Sequence, residues 1–133
     1  MSSASPVTSA ALQQNEVLLD ENGFIQNNYR GDQTAEKIHA VTAETLRLIE
    51  GLRSENKRAC ILVDLSGMGK STAASRKAAS ESLKLMVYDR VGIYGANIFM
   101  KFLANFVIMA SGQSAKVRYF NTRAEAEAWL SVC

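Results

Sequence analysis

Apolar positions along this chain fall into short runs separated by longer, helically spaced stripes. Val17-Leu18-Leu19 is the first run and Phe24-Ile25 opens the second, with Asp20-Glu21-Asn22-Gly23 between them. Asn-Gly is the strongest short-range hairpin signal, so the spacing predicts an opening β-hairpin. Gly31 and Asp32 break the second strand after Tyr29, and either Asp32 or Thr34 can cap a following helix. In that helix Ile38, Val41, Thr45, Leu48, Ile49 and Leu52 share one face, opposite Glu36, Arg47 and Glu50. This 3.6-residue period belongs to a helix laid on a core.

Cys60-Ile61-Leu62-Val63 is a continuous apolar run closed by Asp64, as expected of a strand buried on both faces in a parallel sheet. A loop is predicted over Leu65 to Lys70, then a helix from Ser71 or Thr72. The inner positions of that helix are small (Ala74, Ala78, Ala79) before Leu83 and Met86, so it can sit close to the sheet. Val91 to Tyr94 reads as the next strand, followed by Gly95-Ala96-Asn97 and an apolar helix over Ile98 to Ala110. Lys116 to Phe120 supplies another strand, and Thr122 with Glu125 forms a capping box for a last helix through Leu130. The order predicts an α/β fold: a mostly parallel sheet of repeated β-α units after an N-terminal β-hairpin, with helices on both faces. Residues 1–14 read as a Ser/Ala-rich, poorly ordered tail and residues 15–133 as a single domain.

Composition narrows the class further. With 133 residues, 15 Lys and Arg against 13 Asp and Glu, and a net charge of +2, the chain lacks the basic excess of a nucleic-acid-binding protein. Its 47% apolar and 21% charged content is that of an ordinary globular domain. Two separated Cys and one His fall short of a disulfide scaffold or a His/Cys zinc cage. No signal peptide is legible, and no apolar stretch reaches the roughly 20 residues of a transmembrane helix. A cytoplasmic location is expected.

The most suggestive motif is Gly69-Lys70-Ser71-Thr72, between a buried strand and a helix. A phosphate-cradling loop needs a first glycine five positions earlier, where Asp64 stands, so the wide anion nest is missing. His39 lies about 100° around its helix from Ile38, away from the apolar stripe. Cys60 sits within an apolar strand and Cys133 ends the chain. No catalytic, metal or cofactor-binding residues are therefore assigned. Two features remain. One is the edge where the carboxyl ends of parallel strands meet, gathering Asp64, Ser66, Ser71, Thr72, Ser75 and Asn97 as a candidate partner or ligand surface, with the hydroxyls expected to be exposed. The other is the helix 98–110. Only Lys101 and Asn105 interrupt its apolar circumference, so Phe99, Phe102, Leu103 and Phe106 become candidates for contact with a second subunit, a protein partner, or an apolar ligand or lipid. Burial within the chain's own core is the alternative for this helix.

The stretches ILVDLSG, YGANIFMKFLANFVIMASG and VRYFNTRAEAEAWL resemble the SpoIIAA-like family of small STAS-related proteins. The resemblance runs from roughly Glu16 to Leu130 and is most specific at Val117, Phe120, Thr122, Ala126 and the Trp129-Leu130 pair. It implies a sheet wound from β-α units. It also implies a non-catalytic regulatory module that binds a protein partner, since STAS relatives include anti-sigma-factor antagonists switched by serine phosphorylation. The wider fold is similar to CRAL-TRIO domains, which hold apolar ligands. Where the phosphorylated antagonists carry Asp-Ser-Ser-Gly, this chain has Thr72-Ala73-Ala74-Ser75, so an alanine occupies the acceptor position and the phosphoswitch is not carried over.

Overall fold

A computed structural model describes residues 9–132 of the chain. Met1 to Thr8, most of the expected tail, and Cys133 lie outside the described residues. Strands β1 (Glu16–Leu19) and β2 (Ile25–Gln33) form the antiparallel hairpin. Its turn is held by Asp20, whose Oδ1 accepts from the backbone N–H of Asn22 and of Phe24, each at 2.9 Å. There follow α2 (Ala35–Ser54), β3 (Cys60–Ser71), α3 (Ala73–Leu85), β4 (Arg90–Tyr94), α4 (Ile98–Ser111), β5 (Val117–Tyr119) and α5 (Arg123–Ser131). Before them, α1 (Ser9–Leu12) is a single helical turn seated against α2.

The helix starts are fixed by side-chain oxygens that take up otherwise orphaned N–H groups. Thr34, Thr72 and Asn97 accept from Lys37, Ser75 and Met100, and Thr122 with Glu125 closes a reciprocal capping box. The strands run in the order β1-β2-β3-β4-β5, all parallel except β1. Each crossover advances to the neighbouring strand in the same direction. Crossovers of one hand then place their helices on one face of the sheet. Accordingly α2, α3 and α4 cover one face, over a core including Ile25, Ile61, Val63, Val91, Ile93 and Val117. Among the described residues only α5 covers the other, packing Ala126 and Leu130 on Phe24, Cys60 and Leu62.

One local expectation is corrected. The loop predicted over Leu65 to Lys70 is strand, and β2 continues past Tyr29 to Gln33. Arg30, Gly31 and Gln33 pair with Gly67, Met68 and Ser71, with register irregularities between them. The glycines that read as turn signals instead admit close approach: Gly69 lies against Asp32, whose carboxylate accepts from the Lys70 N–H at 2.8 Å. Buried polar groups hold this ribbon. Lys37 Nζ donates to the carbonyls of Asp32 (2.7 Å) and Arg30 (3.1 Å), and Asn15 donates to Gln33 at 2.9 Å. The close approach to the sheet that its small residues permit is not taken up by α3. It packs mainly on α2 and α4 rather than closely on the strands, and reaches the core through Leu83 and Met86. Small side chains permit a close approach but cannot enforce one.

Asp89 joins the start of β3 to α2, accepting from the N–H of the fully buried Ala59 at 2.8 Å and from Arg53 at 2.9 Å. Burial pushes its carboxyl pKa upward, but the hydrogen bond from Ala59 and the Arg53 guanidinium outweigh that and hold it below the usual value. The folded carboxyl thus titrates below the unfolded one. Its contribution is fully present above the unfolded value near pH 4 and is lost as pH falls through the lower folded one. Asp89→Ala is expected to lower stability by about 1–2 kcal/mol at pH 7, with the difference from wild type shrinking by pH 2.5. Urea unfolding at the two pH values checks this.

Candidate functional site

Helix α4 is apolar on both sides, and the two sides have different fates. Successive residues of an α-helix turn by about 100°, which places Met100, Ala104, Val107 and Ile108 inward. Ile98, Phe99, Phe102, Phe106 and Met109 point outward and are 89%, 68%, 71%, 64% and 75% exposed. Among these outward positions only Asn105 is polar. Leu103 lies at the boundary, half-buried. Among the described residues, the core therefore covers only one side of α4. Lys101 flanks the apolar strip, its ammonium 3.1 Å from Asn121 Oδ1 and above the Tyr119 ring at 5.3 Å. Three phenylalanines about two-thirds exposed present roughly 300–500 Å² of contiguous apolar surface by themselves, as large as the biggest patch on a typical monomer.

Beneath the inner side of α4 lies a partly open cavity of about 120 Å³, walled by the sheet, α2, α3 and α4. Ile61, Val63 and Ile93 form its floor, while Ala79, Ala104 and Val107 leave space from above. It exists because α3 stands away from the strands and carries short side chains toward them. Thr42 and Ser82, hydroxyl to hydroxyl at 2.7 Å, tie α2 to α3 along its wall. The sequence reading missed Asn27 and Tyr29 here. Their alternation with Ile25 on β2 was the available signal, since residues two apart share a sheet face.

Where β4 ends at Tyr94, the facing part of β3 sets Asp64 and Ser66 against Gly95, and Asn97 follows two residues later at the start of α4. Asp64 Oδ1 accepts from the Ser66 N–H at 2.8 Å, and Gly95 closes against both residues with φ +93°. Tyr94 lies beside the Asp64 carboxylate and the Arg123 guanidinium. Burial foremost, and then the Asp64 charge, raise its phenol above the usual value. Asn97 is exposed but its side chain is engaged, accepting from the Met100 N–H at 2.8 Å. Ser71, Thr72 and Ser75 lie farther along, beyond the extension of β3. The expected exposure of Ser75 is corrected: it is buried, donating to the Thr72 carbonyl at 2.8 Å. Ser71 accepts from Arg76 at 2.9 Å, while Ser66 and Thr72 are exposed. Ala73 and Ala74 occupy the first turn of α3 where a phosphoacceptor would be needed. His39 is exposed, and no group of three or more His, Cys, Asp or Glu among the described residues is placed to hold a metal ion. No helix among them is long and apolar enough to cross a membrane.

These features define a small α/β domain with a four-stranded parallel sheet, one antiparallel edge strand and an incompletely covered apolar helix. Comparison with protein families matches the SpoIIAA-like family over residues 24–131, and the chain belongs to it. Among solved structures, it is similar to an uncharacterized protein of the DUF3478 family with a SpoIIAA-like fold from Shewanella loihica PV-4. That likeness has a TM-score of 0.52 at 13% identity and covers 87% of this chain and 91% of the other. It bears on the fold alone. No curated protein sequence matches the chain.

Proposed function

We propose that this chain is a non-catalytic regulatory binding module that docks a protein partner through the outer face of α4. The observation that carries this reading is the row of five large apolar side chains that the other described residues leave exposed. Interfaces of this kind concentrate their energy in a few aromatic anchors, and Phe102 and Phe106 stand one helical turn apart in the middle of the row. The strand-end edge with Asp64 and Ser66 is secondary in this reading, because much of its polarity is spent on its own turn and on helix caps. A cytoplasmic site of action is part of the proposal, and nothing in it requires a membrane span.

The test is affinity capture from host extract with wild type, Phe102→Ser/Phe106→Ser and Ser66→Ala/Thr72→Ala. The phenylalanine variant is expected to retain wild-type stability and to lose its specifically captured partner at least tenfold, as removal of two anchors implies. The hydroxyl variant is expected to capture normally. Equal capture by wild type and the phenylalanine variant would overturn the reading.

A second reading is supported by the cavity: a carrier or sensor of a small apolar ligand. Its roughly 120 Å³ is somewhat less than the ~150 Å³ of a dry engineered cavity that binds benzene. One small ring fits this volume. The same helix would then face the ligand on one side and the partner on the other.

A further inference from the structure

Along the outer face of α4 the exposed side chains Phe99, Phe102, Phe106 and Met109 are spaced three, four and three residues apart. That is the a/d seam of a paired helix, and over so short a length a straight helix drifts from it by only about 20° per heptad. The seam reads the same in both directions, with its centre at Ala104. A two-fold axis crossing the helix there sets Phe102 against the partner subunit's Phe106, and Phe99 against the partner subunit's Met109. A surface with this symmetry is its own complement, as an isologous contact requires.

The residues beside the seam favour a second copy over a partner of opposite charge. Ile98 and Asn105 flank it on one side, Leu103 and Ala110 on the other, so none of the positions that select partners by charge in paired helices is charged. Lys101, the one charged residue of α4, stands off the seam and is engaged with Asn121 and the Tyr119 ring. Within α4 nothing repels an identical face or calls for an oppositely charged one. Asn105 lies one residue from the centre, which puts it about 3 Å along the axis from its counterpart. A carboxamide holds both donor and acceptor, so it can hydrogen-bond its own copy there. The five exposed apolar residues offer roughly 600–800 Å² per copy, against the roughly 800 Å² that each partner buries in a standard interface. Resting on the reading of this face as a docking surface, we infer that its occupant is a second copy of this chain, the two α4 helices pairing antiparallel about a two-fold axis at residue 104.

Sedimentation equilibrium of the full chain tests this, and wild type is expected to be a dimer at about 100 µM. Phe102→Lys and Phe106→Glu alter exposed positions, so each is expected to keep the wild-type circular dichroism. Each alone sets its charge against a phenylalanine and is expected to weaken self-association at least tenfold. Mixed in equal amounts they are expected to recover a one-to-one complex, because the antiparallel register sets the introduced lysine against the introduced glutamate. The other crossing remains phenylalanine on phenylalanine. A parallel pairing would leave each charge against a phenylalanine and recover nothing. Monomeric wild type at about 100 µM overturns the inference; if capture from extract then still depends on Phe102 and Phe106, the docking face stands and its occupant is a different protein. A dimer unchanged in both charged variants also overturns it, by placing the interface elsewhere, and loss in both without recovery on mixing overturns the antiparallel two-fold. If capture is likewise indifferent to Phe102 and Phe106, the docking reading itself fails.

Discussion

Gly95→Ala is expected to lower the stability of this domain by about 2–4 kcal/mol, a large part of what a domain of this size has. The residue has φ +93°, a backbone state that L side chains rarely adopt. A Cβ there would lie 2.9 Å from the Ser66 nitrogen, 3.0 Å from Asp64 Oδ1 and 3.2 Å from Ser66 Cβ. The first two atoms form the 2.8 Å hydrogen bond that shapes the end of β3, so neither can retreat without breaking it. Strain and collision therefore add. Gly95→Asn separates them, since Asn tolerates positive φ but carries the same Cβ. It is expected to recover less than half of the loss in urea unfolding, and full recovery would show that backbone strain acts alone. Gly95 also precedes Ala96 and Asn97, which seat the start of α4: the Ala96 N–H donates to the Tyr119 hydroxyl at 3.0 Å. The amide signals of Ile98 to Lys101 should shift in both variants.

What the sequence revealed about this region, and what it hid, follows from the range of each interaction. Caps were legible because they are local: Thr34, Thr72 and Thr122 each satisfy an N–H three residues on. The central strands were legible because β3 and β4 are covered on both faces, which demands runs such as Ile61-Leu62-Val63. The continuation of β3 was not. Gly67, Gly69 and Lys70 have turn-like composition, and only their neighbours on β2, more than thirty residues earlier, make them a strand. The cavity was hidden for a related reason. Ala79 and Ser82 read equally well as a face in close contact or as one that leaves a gap, and the choice depends on how α2 and α4 hold α3. Lys37 shows the same limit from the polar side, since its burial is paid back by carbonyls of a ribbon that was not expected to exist. For α4 the pattern showed a nearly complete apolar circumference, but only the packing separates the wall of the cavity from the exposed contact face.

Leu130→Ala is expected to destabilise the α5 side of the sheet by about 2–4 kcal/mol and to release that layer before the rest. The α5 helix has nine residues, and the two it buries are Ala126 and Leu130. Both lie over Gly92, where an added Cβ would stand 3.3 Å from Ala126 Cβ and 3.5 Å from Leu130, so the helix approaches the sheet closely through a gap that only glycine leaves. Truncating Leu130 removes the larger of the two side chains that α5 buries, on a face that no other helix among the described residues shares. The chain's single tryptophan reports the event directly. Trp129 lies 5.4 Å from the Phe120 ring, with the guanidinium groups of Arg90 and Arg118 over it at 4.5 and 5.1 Å. Its emission is expected to shift to the red at lower urea than the loss of far-ultraviolet circular dichroism, whereas in wild type the two transitions coincide. Coincident transitions in the variant would mean that α5 and the three-helix face unfold as one unit. The cavity and the outer face of α4 are on the opposite side of the sheet, so partner capture through Phe102 and Phe106 should survive Leu130→Ala in dilute buffer. Its loss would show that α5 sets the spacing of the strands beneath the cavity, and that the two layers are mechanically coupled through β4.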